Sequence, residues 1–138
     1  MSTARRDLAL LLLRLGGVGL AMGHGWGKIT ALGSGGGERF VAGVSALGFP
    51  LPEVFAWAAA LTEFLGGLAI ALGLGTRIAA SLATCNLLVA AFLRHRFHQQ
   101  LLLAAGLIRA PEEVVDQWGD PELALVYLVI MLTLLLVG

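Results

Sequence analysis

Charge is scarce in this sequence. Asp, Glu, Lys and Arg make up 13% of it, against roughly a quarter in a typical soluble domain, while 58% of residues are hydrophobic and mean hydropathy is +0.88. A chain so poor in charge cannot cover its own surface in water, and lipid is the solvent that fits. The nine basic and nine acidic residues cancel, so the basic excess expected of a nucleic-acid binder is missing. Cysteine is nearly absent too. Cys85 stands alone, which excludes an intrachain disulfide and any CxxC redox or zinc site. There is no period-2 alternation of the kind a membrane barrel needs. Nor is there a sequence repeat or low-complexity linker, so residues 1–138 read as one domain.

What is present is a set of apolar runs long enough to cross a bilayer, for which a helix needs about 20 residues. Four spans are expected, at about 8–26, 54–74, 78–93 and 123–137. The Arg5-Arg6 pair ahead of the first run resembles the head of a secretory signal. Arg14 interrupts that run and more spans follow, so a retained first span is expected. Glycine and alanine are frequent in the runs, yet any other backbone state would leave amides unpaired in lipid. The fold class is therefore all-α, an integral membrane four-helix bundle with both termini on one side. The two long loops share the opposite side. Their apolar stretches, Phe40–Phe49 and Leu101–Ile108, predict short helices lying in the interface. Arg5, Arg6 and Arg77 flank the termini side and Lys28, Arg39, Arg94, Arg96 and Arg109 the loop side. The overall count puts the loops in the cytoplasm, whereas the N-terminal Arg pair favours the reverse.

Polar residues inside the spans carry the functional interest, because ionisable groups there cost at least about 2.5–3.5 kcal/mol unless partnered. Counted from the termini side at 1.5 Å per residue, Arg14 lies about 9 Å deep, Asn86 about 12 Å and Glu63 about 15 Å. These levels predict a buried Arg14–Glu63 pair steadied by Asn86, serving either as helix glue or as chemistry. Arg14, Gly17, Ala21, His24 and Lys28 recur at steps of 3 and 4, one seam of a helix. Gly19, Gly23 and Gly27 add a small-residue ladder beside it. A second stripe runs through Arg77, Ser81, Thr84, Leu88, Ala91, His95 and His98. The fourth span is almost wholly aliphatic after Glu122, its start capped by Asp120 or a neighbour. His24, Lys28, His95, His98 and Glu122 thus gather at the loop side. Snorkelling to headgroups accounts for them as ordinary edge residues; His95-x-x-His98 would alternatively place two imidazoles one turn apart as haem or metal ligands.

Taken in order, Arg14, His24-Gly25-Trp26-Gly27-Lys28, Glu63-Phe64-Leu65-Gly66-Gly67, Gly73-Leu74-Gly75-Thr76-Arg77 and Glu122-Leu123-Ala124-Leu125 resemble the DoxX family. Residues 97–116 depart from that pattern. The resemblance implies a small four-span protein of respiratory or sulfur redox chemistry, in a bacterial or archaeal cytoplasmic membrane. Its relatives include the membrane subunit of a thiosulfate:quinone oxidoreductase and members of oxidative-stress complexes.

The first functional expectation is a quinone-linked subunit. His24 and Lys28 would donate to the quinone carbonyls, and Glu63, Glu122 and His95 would relay protons. Arg14, Trp26, Asn86 and His98 would be cofactor contacts. Since the chain has no cysteine pair, flavin fingerprint or obvious metal cluster, a redox partner subunit or a bound haem would supply electrons, and a homo-oligomer is a further expectation. The alternative is a non-catalytic membrane scaffold or lipid-binding subunit, favoured by the small-residue seams. A small transporter ranks third, because inverted repeats and broken helices are missing.

Overall fold

A computed structural model describes residues 3–138. The first span begins as α1 (Thr3–Leu20), passes through a π-helical turn (Ala21–Gly25) and continues as α2 (Trp26–Gly33). Together they make one 31-residue rod, about 46 Å long. That exceeds a hydrocarbon layer of about 30 Å, so the rod outruns it. The helix therefore continues past both ends of the expected span at 8–26. The glycine-rich stretch read as its terminus stays helical, because lipid offers those amides no other partner.

A loop carrying α3 (Glu38–Ala46) leads to α4 (Pro52–Leu72). Pro52 starts this helix where a missing N–H costs nothing, and Gly73 ends it in the left-handed conformation, φ 73°. α5 (Thr76–Leu88) follows directly and runs into a second π-helical turn (Val89–Arg94). Arg96, at φ 52°, breaks the rod before α6 (Phe97–Ala104). Next come α7 (Glu112–Trp118) and the last span, α8 (Glu122–Val137). Among the described residues there are four membrane-length helical segments and no strand. The chain is an integral membrane four-helix bundle with its ends on one side, and the expected short helices occupy both long loops.

In packing order the rods run α1, α4, α5, α8, with α8 returning to α1. Leu20, Ile70, Ala80, Ala83, Leu87, Leu128, Met131 and Leu134 form the core. The opposite faces are apolar as well: Leu8, Leu12, Leu15, Leu65, Leu72, Ile78, Val129 and Leu136 are each more than half exposed. Only lipid makes such a surface stable.

Alpha1 and α4 touch backbone to backbone. A Cβ at Gly17 would stand 2.5 Å from the Gly67 carbonyl oxygen, one at Gly67 2.5 Å from the Gly17 oxygen, and one at Gly25 2.5 Å from the Phe64 nitrogen. Gly17, Ala21 and Gly25 are thus the small-residue seam that closes the bundle. Gly23 and Gly27 of the expected ladder face open space, while Gly19 is covered by the Tyr127 hydroxyl. Gly17→Val and Gly67→Val should each lower stability by at least about 1–3 kcal/mol through overpacking, whereas Gly27→Ala should be neutral. Thermal unfolding of the purified variants in one detergent checks the contrast.

Candidate functional site

The α1–α4 seam sets which residues meet inside the membrane. Gly25 lies against Glu63 and Phe64, so Glu63 is level with the loop-side third of the first rod. Side chains on a helix lean toward its N-terminus. Lys28, one turn beyond Gly25, therefore reaches back to the carboxylate. Its Nζ donates to Glu63 Oε1 at 2.5 Å and Oε2 at 2.7 Å, and Asn86 Nδ2 donates to Oε1 at 2.9 Å. The Glu63 side chain is 4% exposed and that of Lys28 31%. Phe40 of α3 covers the ammonium, with its ring centre 5.2 Å away. One carboxylate thus ties α2, α4 and α5 together.

The expected Arg14–Glu63 pair does not form. Arg14 lies some three helical turns before Gly25, roughly 16 Å toward the termini side, and its own lean carries the guanidinium further that way. It rests instead on Gly73, 3.2 Å from where a Cβ would be, at the C-terminal end of α4, where a cation suits the helix dipole. Asn86 does bind Glu63, as expected. Its partner there is Lys28, not Arg14.

Next to this pair lies a cavity of about 220 Å³ between the first rod, α5 and α8. Leu20, Leu87, Ala90, Leu123 and Ala124 supply its apolar wall, and His24, Lys28, Glu63, His95, Asp120 and Tyr127 its polar groups. His24 sits in the first π turn with its ring edge-on to Tyr127, centroids 5.6 Å apart at 81°. His95 closes the second π turn, its N–H bonded to the Ala90 carbonyl, and its Nδ1 is 2.9 Å from the Trp118 carbonyl.

Of the sequence-predicted site residues, the structure brings His24, Lys28, Glu63 and His95 together, with Asn86 directly behind. Four others lie elsewhere. Trp26 is half-exposed and tilts onto Phe64, 5.5 Å away. His98 stacks on Phe92 outside the cavity, because the break at Arg96 ends the helical spacing that would have aligned it with His95. Glu122 is exposed, and only its backbone N–H is engaged, donating to Asp120 Oδ1 at 2.9 Å. Arg14 stands at the termini side. Among the described residues no group of three His, Cys, Asp or Glu side chains is close enough to hold a metal ion.

Two cavity residues went unread in the sequence. The sequence marks Asp120 only as a residue able to cap α8; Pro121 takes the N-cap position, and Asp120 Oδ1 accepts the Glu122 N–H. Tyr127 is the chain's one tyrosine, set in an aliphatic span in helical step with Leu123 and Ala124; that isolation was the available signal.

A model of the DoxX family matches residues 9–96. The chain belongs to the DoxX family. No curated protein and no solved structure matches it. The DoxX match holds His24, Lys28, Glu63, Asn86 and His95, while Asp120 and Tyr127 lie beyond it. The Glu122–Leu125 likeness expected from the sequence also falls beyond it.

Removing one partner from the pair leaves a charge in lipid. Lys28→Met should cost about 3 kcal/mol, the lower end for a broken buried pair because the ammonium is partly exposed. Glu63→Gln should cost less, since Lys28 then turns to the headgroups. In the double variant Lys28→Met/Glu63→Gln most of the Lys28→Met loss should return. Unfolding midpoints of all four proteins, treated as a double-mutant cycle, measure this coupling.

Proposed function

We propose that this DoxX protein is the membrane subunit of a quinone-linked oxidoreductase system, and that the loop-side cavity receives the quinone head group. The observation that carries this reading is the cavity's make-up, an apolar slot with a lysine, two imidazoles, two carboxylates and a phenol converging on it. Its volume falls below the roughly 300–1,000 Å³ of a pocket for a drug-sized ligand. It thus suits one ring, with the isoprenoid tail left in lipid. A bound quinone supplies two-electron chemistry coupled to proton exchange at its two ring oxygens.

The chain's own residues have separable tasks. Lys28 and His24 offer N–H donors for a ring oxygen, and Glu63 with Asn86 holds the Lys28 ammonium in place. Leu20, Leu87 and Leu123 orient a flat ring and keep water from its inner face. His95 and Asp120 handle protons at the loop side. Electrons come from a redox partner subunit, since the chain's single thiol, Cys85, provides no dithiol. A bacterial or archaeal cytoplasmic membrane, as the site of respiratory quinones, fits this role.

A second reading, a non-catalytic scaffold, is favoured by the Lys28–Glu63–Asn86 tie itself, which joins three rods whatever the cavity holds. The two readings part at His24. His24→Phe keeps the edge-to-face contact with Tyr127 and removes both nitrogens. For a quinone site it should weaken binding of a short-tailed quinone by about 5–150-fold, the worth of one buried hydrogen bond, with folding unchanged. Trp26→Phe, outside the cavity, should bind like the parent. Titration of nanodisc-embedded protein and mass spectrometry of its extracted lipophiles read the outcome. No quinone in the extract and equal binding by all variants would leave the scaffold.

A further inference from the structure

We infer that His95 is a proton acceptor serving the cavity, fixed in that state by the backbone ahead of α8, and that Asp120 joins it to water on the loop side. The inference rests on reading the cavity as the site of proton-linked chemistry, and it names the groups and the membrane face involved.

A carbonyl oxygen only accepts. The contact between His95 Nδ1 and the Trp118 carbonyl therefore puts the proton on Nδ1, and in the neutral ring Nε2 keeps its lone pair. The carbonyl is itself held in place. Arg94 Nη1 donates to the Gln117 carbonyl at 3.0 Å, and Gln100 Nε2 donates both to the Gly119 carbonyl at 2.9 Å and to the His95 carbonyl at 2.7 Å. Gly119 turns the chain at φ 65°, ψ −172°, a region open essentially to glycine alone. Gln100 and Gly119 are thus positioning residues, acting on His95 through the Trp118 carbonyl.

Asp120 comes next in the chain. It lines the same cavity as His95 and is exposed to solvent. Toward the termini side the bundle closes on Leu20, Ile70, Ala80, Met131 and Leu134, each at most 1% exposed. Around the cavity the titratable groups are His24 in the first π turn, Lys28 on α2, Glu63 on α4, and Asp120 and Tyr127 at and on α8; Arg94 and Arg96 flank His95 in the chain. Of these, Asp120 is the exposed carboxylate at the mouth. His95 Nε2 takes a proton from a hydroxyl group held in the cavity and becomes imidazolium, with Nδ1–H still on Trp118. The proton passes to the Asp120 carboxylate or directly to loop-side water, restoring the starting ring. In reverse, the same groups deliver a proton.

Histidine ¹⁵N NMR of the full chain in nanodiscs, assigned with His24→Phe and His98→Phe, reads the tautomer directly. The neutral His95 ring should show Nδ1 protonated and Nε2 bare, and Gln100→Leu should convert it to mixed tautomers. A parent protein with Nε2 protonated overturns the inference. Water access is read with a membrane-impermeant maleimide in a Cys85→Ser background. Ala124→Cys should label from the loop side, Met131→Cys from neither side. Asp120→Leu should slow Ala124→Cys labelling at least about tenfold, while Asp120→Asn, which keeps the capping oxygen, should not. Labelling of Ala124→Cys from the termini side alone, or from neither side, also overturns it. The expected tautomer and labelling in a protein without quinone support the proton path and retire only the quinone. A quinone-loaded protein with Nε2 of His95 protonated does the opposite.

Discussion

A carboxylate in hydrocarbon has to be satisfied from within the protein, and the arrangement around Glu63 follows from that demand. Insertion alone makes such a group expensive, and Glu63 is almost entirely cut off from solvent. Its two oxygens accept three hydrogen bonds from two other helices. Those donors arrive only because the Gly17–Ala21–Gly25 seam lets the first rod approach α4 at backbone distance. With larger residues on that seam, Lys28 would be held back from the carboxylate. Close packing and charge pairing are therefore one constraint here, the first setting the register in which the second is possible.

The π-helical turns extend this logic to the cavity. Each adds a residue to a rod, and one added residue rotates everything after it by about 100° at 3.6 residues per turn. The first turn ends just before Trp26, whose N–H bonds to Ala21; the second ends at His95, bonded to Ala90. Both lie at the loop-side end, and both carry or abut an imidazole that lines the cavity. Such turns recur at functional sites because they re-aim side chains without breaking a helix. Here they bring His24 and His95 to one space from different rods.

How much of this was legible in the sequence follows from the same geometry. The four spans and the loop helices were readable from hydropathy and length, since lipid leaves the backbone little choice. Glu63 and Asn86 were recognisable as partners because both are polar in apolar runs at similar depth. Choosing Arg14 over Lys28 failed for a reason internal to counting. Depths counted from each run's own end assume that those ends are level, whereas the Gly17–Gly67 and Gly25–Phe64 contacts set Arg14 beside Gly73, about three turns from Glu63. The lean of a long side chain then moves its charge a further turn toward the N-terminus. For Arg14 that shift leads away from Glu63, and for Lys28 it leads toward it. His98 was misplaced by another local event, the left-handed backbone at Arg96, which no hydrophobic periodicity announces. Tyr127 was missed because α8 looks like a plain lipid-facing span, and only the fold turns that side of it inward; Asp120, just ahead of α8, reads as a turn residue until the fold sets it at the cavity mouth.

The division between the DoxX-matched segment and the remainder bears on how the site operates. Residues 9–96 supply the ion pair, the donors and His95, but on their own they leave the tautomer of His95 open. The acceptor that settles it, the Trp118 carbonyl, and the exposed carboxylate of Asp120 both come from the stretch that follows. That stretch is attached by side chains of Arg94 and Gln100 to backbone carbonyls of residues 117 and 119. Because those contacts run to backbone, the identities of most α6 and α7 residues matter little to them. On the reading proposed above, such a cap fixes His95 through backbone carbonyls, and of residues 97–116 it draws on the side chain of Gln100.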